Sequence, residues 1–144
     1  MTSRSRVTPD ERAHLQAIGA FVDELETPGF VAGTWFGGER HGDVITMPWF
    51  ELGDRASAFV AALTGIMIVG FDWMTWVGTP EAQMFGRDHA TIATATPEQL
   101  AHLATAIVRQ ARFTEGSHDE AFESGLMLAV ARRARALAAD DMAL

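Results

Sequence analysis

One helix-opening phrase occurs three times along this chain: Thr8-Pro9-Asp10-Glu11, Thr79-Pro80-Glu81 and Thr96-Pro97-Glu98-Gln99. In each, the threonine side chain can accept from free backbone N–H groups, proline suits the first helical position, and the acid complements the positive helix end. Such a chain must start helices at three separate points. After the first phrase Leu15, Ile18, Phe21 or Val22, and Leu25 keep a three-to-four spacing until Pro28-Gly29, which predicts a helix over about residues 9–26. After the third, Leu100, Leu103, Ile107, Val108 and Ala111 form a second stripe, closed by Gly116 where a left-handed cap would sit, which predicts a helix over about 97–114.

Ser117-His118-Asp119-Glu120 has the spacing of a capping box, in which Ser117 and Glu120 would satisfy each other's backbone donors. A last helix follows, with Phe122, Leu126, Ala129 or Val130, and Leu137 on its inner side. Joined through Gly116-Ser117, the two long helices are expected to form a C-terminal antiparallel helical hairpin.

The texture between the helical ends is different. Phe30–Phe36 and Val44–Trp49 are β-branched and aromatic runs around a glycine-rich loop at 37–43, which reads as a β-ribbon, with Pro48 stopping its second strand. Asp54 can cap a helix over about 55–64 that carries Phe59, Val60 and Leu63 and ends at Gly65. Asp72 can cap a short helix from Trp73 to Val77. The expected fold is therefore mainly helical α+β, with five to six helices and a small β-ribbon. Its 144 residues suit a single domain over 1–144, with 1–7 as a disordered tail.

Cysteine is absent, so thiolate nucleophiles, disulfides and cysteine-held metals are excluded by inventory. The net charge of −8 argues against a general binder of nucleic-acid backbones, which needs a basic excess. The longest uncharged run, Ala56 to Phe71, is short for a span of about 20 residues and is interrupted by Gly65, so no membrane span is expected. No signal-peptide pattern follows the basic start, and a cytoplasmic location is expected.

Several phrases then fall into a familiar order: Met47-Pro48-Trp49-Phe50, Phe71-Asp72-Trp73-Met74-Thr75-Trp76, Arg112-Phe113-Thr114-Glu115-Gly116 and Ala121-Phe122-Glu123-Ser124-Gly125. Over about residues 30–137 the sequence resembles a family of small uncharacterised bacterial proteins, the DUF6508 type. That resemblance implies an architecture and carries no established activity with it.

The candidate site residues are few. Asp72 is either the cap of the turn after it or a functional carboxylate between aromatics. Trp35, Trp49, Trp73 and Trp76 either pack internally or line one concavity suited to a flat or cationic ligand. Trp73 is expected in the core, and Trp35 or Trp49, on the ribbon, at the surface. Arg112 and Glu115 can pair with each other, Arg112 can bridge to Asp72, or Arg112 can clamp an anion beside the aromatics. Glu11-x-x-His14 and Glu115-x-x-His118 have the spacing of carboxylate-bridged di-iron bundles, but one lies at a helix start and the other crosses Gly116, so no metal is expected.

No nucleophile elbow, phosphate loop or dinucleotide fingerprint is present, and no catalytic residue or cofactor is assigned. The functional expectation is a non-enzymatic module that binds a small ligand or a protein. The alternative is a small hydrolase or metal-dependent enzyme using Asp72, His89, Arg112 and Glu115. Self-association through the ribbon or the helical hairpin is expected as well, because a two-stranded ribbon leaves backbone groups unpaired.

Overall fold

The computed structural model describes residues 7–140. The three repeated phrases all open helices: α1 (Pro9–Gly19), α5 (Pro80–Arg87) and α6 (Pro97–Gln110). Thr8 and Thr96 close full capping boxes with Glu11 and Gln99, and Thr79 accepts from the Ala82 N–H at 3.2 Å. The others are α2 (Val22–Glu26), α3 (Asp54–Leu63), α4 (Trp73–Trp76), α7 (Ser117–Glu123) and α8 (Leu126–Asp140). Short 3-10 turns run over Thr64–Ile66 and His89–Thr94.

The described residues thus hold eight helices rather than five to six. The helix expected over 9–26 breaks at Ala20-Phe21, a turn that sets Phe21 edge-on to Phe59 at 5.3 Å while Ile18 and Val22 are both buried. The last helix breaks at Gly125, whose φ of +92° a residue with a side chain rarely adopts. The helix begun at Pro97 stops at Gln110, four residues early, and a turn over 111–116 leads to α7. Two expected caps are also corrected. Gly53 rather than Asp54 is the N-cap of α3, and Gly116, at φ +84°, stands at the start of α7 in place of Ser117. The Ser117–Glu120 box does not form, because Ser117 is already the first helical residue.

Phe59, Phe85, Ile18, Leu63, Ile92, Leu100, Met127 and Val130 fill the core. α1 lies along α8 so closely that a Cβ on Gly19 would fall 2.8 Å from the Arg135 Cα. Arg132 of α8 and Glu26 of α2 add a pair beside it at 2.7 Å, exposed and worth about 1 kcal/mol at most. α6 packs against both α7 and α8, so the C-terminal helices form three segments rather than two arms. Val7 belongs to this core at 8% exposure. Residues 1–6, the rest of the expected tail, lie outside the described residues.

Asp72 is the cap of α4: its Oδ1 accepts from Thr75 N–H at 3.1 Å and its Oδ2 from the Thr75 hydroxyl at 2.7 Å. These bonds hold its carboxyl below the usual value. Trp76 enters the core, and its Nε1 donates to Glu81 Oε2 at 2.9 Å, while Gln99 Nε2 donates to Glu81 Oε1 at 2.7 Å. One carboxylate thereby ties α4, α5 and α6 together.

The ribbon is a single hairpin with two ladder segments. β1 (Gly33–Phe36) pairs antiparallel with β4 (Trp49–Leu52), with Trp35 opposite Phe50 and Phe36 opposite Trp49. Nearer the tip, β2 (Arg40–His41) pairs with β3 (Val44–Ile45). The second strand is not stopped by Pro48: β3 already ends at Ile45, and pairing resumes directly after the proline, so the inner partner of β1 is 49–52 rather than 44–49. Among the described residues, no helix is long and apolar enough to cross a membrane.

Candidate functional site

The ribbon docks on the turn between α6 and α7, where Arg112-Phe113-Thr114-Glu115-Gly116 lies. Two carboxylates hold it there. Phe50 N–H donates to Glu115 Oε2 at 2.8 Å, and Trp35 Nε1 donates to Asp119 Oδ2 at 2.9 Å. The indole of Trp35 lies so close to Gly116 that a Cβ there would come within 2.5 Å of its Cζ2. Glycine at 116 therefore meets two requirements at once, a left-handed backbone and a place for the ring.

Beside this junction opens a groove of about 840 Å³. Trp35, His89, Glu115, Asp119, Glu120 and Glu123 line it, together with Ile107, Gln110, Leu126 and small or hydroxyl-bearing residues, and no arginine is among its lining residues. Glu115 and Asp119 each use one oxygen on the ribbon; among the described residues the other oxygen of each makes no hydrogen bond. Carboxylates gathered around an indole favour a positively charged group, through Coulomb attraction and through the ring's π face where the cation reaches it.

The expected site residues do not gather in one place. Trp35 lines the groove and is 47% exposed. Trp49, at 40%, stacks on Phe36 at 5.5 Å. Residues paired across a ladder share a face and neighbours along a strand do not, so Trp49 stands on the opposite ribbon face from Trp35. Trp73 is only half-buried, 6.0 Å from Phe113, whereas Trp76 is the tryptophan in the core, beside Phe71 and His102. The single four-tryptophan concavity is not formed, since these rings occupy three regions. Arg112 is exposed and makes neither the pair with Glu115 nor the bridge to Asp72, and it does not line the groove. Of the residues in the hydrolase alternative, His89 and Glu115 share the groove, while Asp72 is occupied with its cap.

Asp119, Glu120 and Glu123 were missed as groove residues. Their readable signal is the four-residue step from Asp119 to Glu123, which puts both on one face of α7. Neither E-x-x-H phrase builds a metal site. Glu11 closes the α1 capping box, Glu115 holds the ribbon, and no group of three or more histidine, aspartate and glutamate side chains among the described residues could hold a metal ion.

With the geometry established, sequence comparison adds one decisive observation: the model of a family of unknown function, DUF6508, matches residues 10–140. The chain belongs to DUF6508. No curated protein and no solved structure matches it. The DUF6508 match extends beyond the 30–137 stretch of shared phrases to take in nearly all of α1 and the whole of α8, the two helices that close on each other.

A second, smaller cavity of about 380 Å³ in this DUF6508 chain lies between β4, α3 and the 111–118 segment. Ser57, Ser117 and His118 line it with Glu51 and Glu115, and the Ser117 Oγ and His118 Nε2 atoms are buried without a hydrogen-bond partner. Burial lowers the His118 pKa from its ordinary 6.5, partly offset by a hydrogen bond to the Ile107 backbone. The unfolded chain thus takes up a proton on His118 at a higher pH than the folded one. Folding stability should be fully present above the ordinary histidine value and fall as pH drops below it, until the folded pKa is reached. His118→Gln should flatten that limb in urea titrations between pH 7 and 5, and an unchanged slope would count against the assignment.

Proposed function

We propose that this protein is a binding module, without catalysis of its own, whose groove beside Trp35 takes a small cationic group such as a primary ammonium or a guanidinium. The observation that carries this reading is the groove's lining: Trp35 with Glu115, Asp119, Glu120 and Glu123, and no arginine among its residues. The volume of about 840 Å³ lies within the range of small-ligand sites. An anion clamp at Arg112 finds no support, since Arg112 is not part of the lining. The hydrolase reading has less behind it, since Asp72 is taken up by Thr75 and neither Asp72 nor Arg112 lines the groove that holds His89 and Glu115.

The test is titration with spermidine and with free arginine, followed by intrinsic fluorescence and calorimetry. Saturable binding is expected with both probes. Glu120→Gln combined with Glu123→Gln leaves the two ribbon-holding carboxylates in place and should weaken binding by about five-fold, the size of one exposed charge interaction. Absence of a saturable response at millimolar probe, or binding indifferent to both glutamines, would refute the reading.

A further inference from the structure

The ribbon has one covered edge and one bare edge, and two hydrogen bonds tell them apart. Gly53 N–H donates to Ala32 O at 2.8 Å, so Ala32 turns its backbone toward the partner strand, and by two-residue alternation Thr34 and Phe36 do the same. Phe50 N–H, by contrast, points away to Glu115 Oε2, so the Trp35–Phe50 pair is of the kind that exchanges no hydrogen bonds. Gly33 and Trp35 therefore aim their N–H and C=O groups outward from β1. Among the described residues nothing bonds to them.

That edge, though short, carries neither charge nor proline. β1 is Gly-Thr-Trp-Phe, with no lysine, no proline and no charge to repel another strand, and its last three residues are exposed. Along the same ribbon Val31, Phe36, Val44, Ile45, Met47 and Trp49 stand in solvent, with Met47 at 80% and Val31 at 72%.

We propose that a second copy of this chain pairs its β1 antiparallel to this one about a two-fold axis, giving a four-stranded sheet in the order β4-β1-β1-β4. A second copy suits this edge because β1 is uncharged: two chains of net charge −8 can meet here without like charges facing each other on the strands themselves. The two-fold axis offers the same patch from both sides, so the assembly closes at a dimer. Four strands also relieve the marginal stability of an isolated two-stranded ribbon.

Sedimentation of the unaltered chain from micromolar to millimolar concentration should show a reversible dimer. Val31→Lys and Thr34→Lys should each weaken it by at least about ten-fold while leaving the circular dichroism unchanged. Hydrogen exchange on the unaltered chain needs no variant and keeps the test decisive if a lysine disturbs folding. The Gly33 and Trp35 amides should gain protection only at concentrations where the dimer forms, whereas Thr34 and Phe36 should be protected throughout. A chain that stays monomeric at millimolar concentration overturns the proposal, as does a dimer indifferent to both lysines or one in which the Trp35 amide gains no protection.

Discussion

Phe59→Ala is expected to lower the free energy of unfolding by about 3–5 kcal/mol, a large part of the roughly 5–15 kcal/mol that holds a domain of this size. The ring is wholly buried, edge-on to Phe21 at 5.3 Å and to Phe122 at 5.8 Å. It therefore joins three regions, the α1–α2 corner, α3 and α7, and none of them can close the void alone. Phe59→Leu keeps most of the volume and should cost distinctly less. Urea unfolding of the two variants gives the comparison, and a loss for alanine below about 1 kcal/mol would mean the ring is not where three elements meet.

The second large effect separates the tryptophans. Trp76→Ala should cost about 3–5 kcal/mol, because it removes a buried ring and leaves Glu81 without its indole donor. Trp35→Ala should cost less, about 1–2 kcal/mol, since nearly half of that side chain already meets water. Iodide should quench the emission of Trp35 and Trp49 and leave Trp76 largely untouched. If Trp35→Ala proves as damaging as Trp76→Ala, the ribbon is part of the core and the groove beside it loses its meaning as a surface site.

Signals confined to a few neighbouring residues were legible in the sequence. The Thr-Pro-acid phrases and the Asp72 cap each depend on contacts within about four positions, and each appears in place, whereas Gly116 is left-handed but opens α7 instead of closing α6. Helix breaks were less legible, because the apolar stripe continues through Ala20-Phe21 and through Ser124-Gly125. The stripe records which side faces inward, and it stays intact when the axis turns. The choice of Trp76 over Trp73 for the core was hidden too, since it depends on Glu81 and His102 arriving from α5 and α6. The groove was the least legible feature: Glu115 and Asp119 read as turn and helix-start acids, and only the ribbon, 84 positions away at Trp35, gives them a shared task.

The closure of α1 on α8 also sets a timetable for the chain's own synthesis. Beside that closure, the pair between Glu26 of α2 and Arg132 of α8 links residues 106 positions apart. At roughly 5–20 residues per second, α1 is complete some 5–20 seconds before the surface it packs against has been made. Leu15 and Ile18, buried in the finished protein, must spend that interval without α8 to cover them. The growing chain is thus open to aggregation through its first helix for that interval, and the exposure ends as α8 emerges from the ribosome.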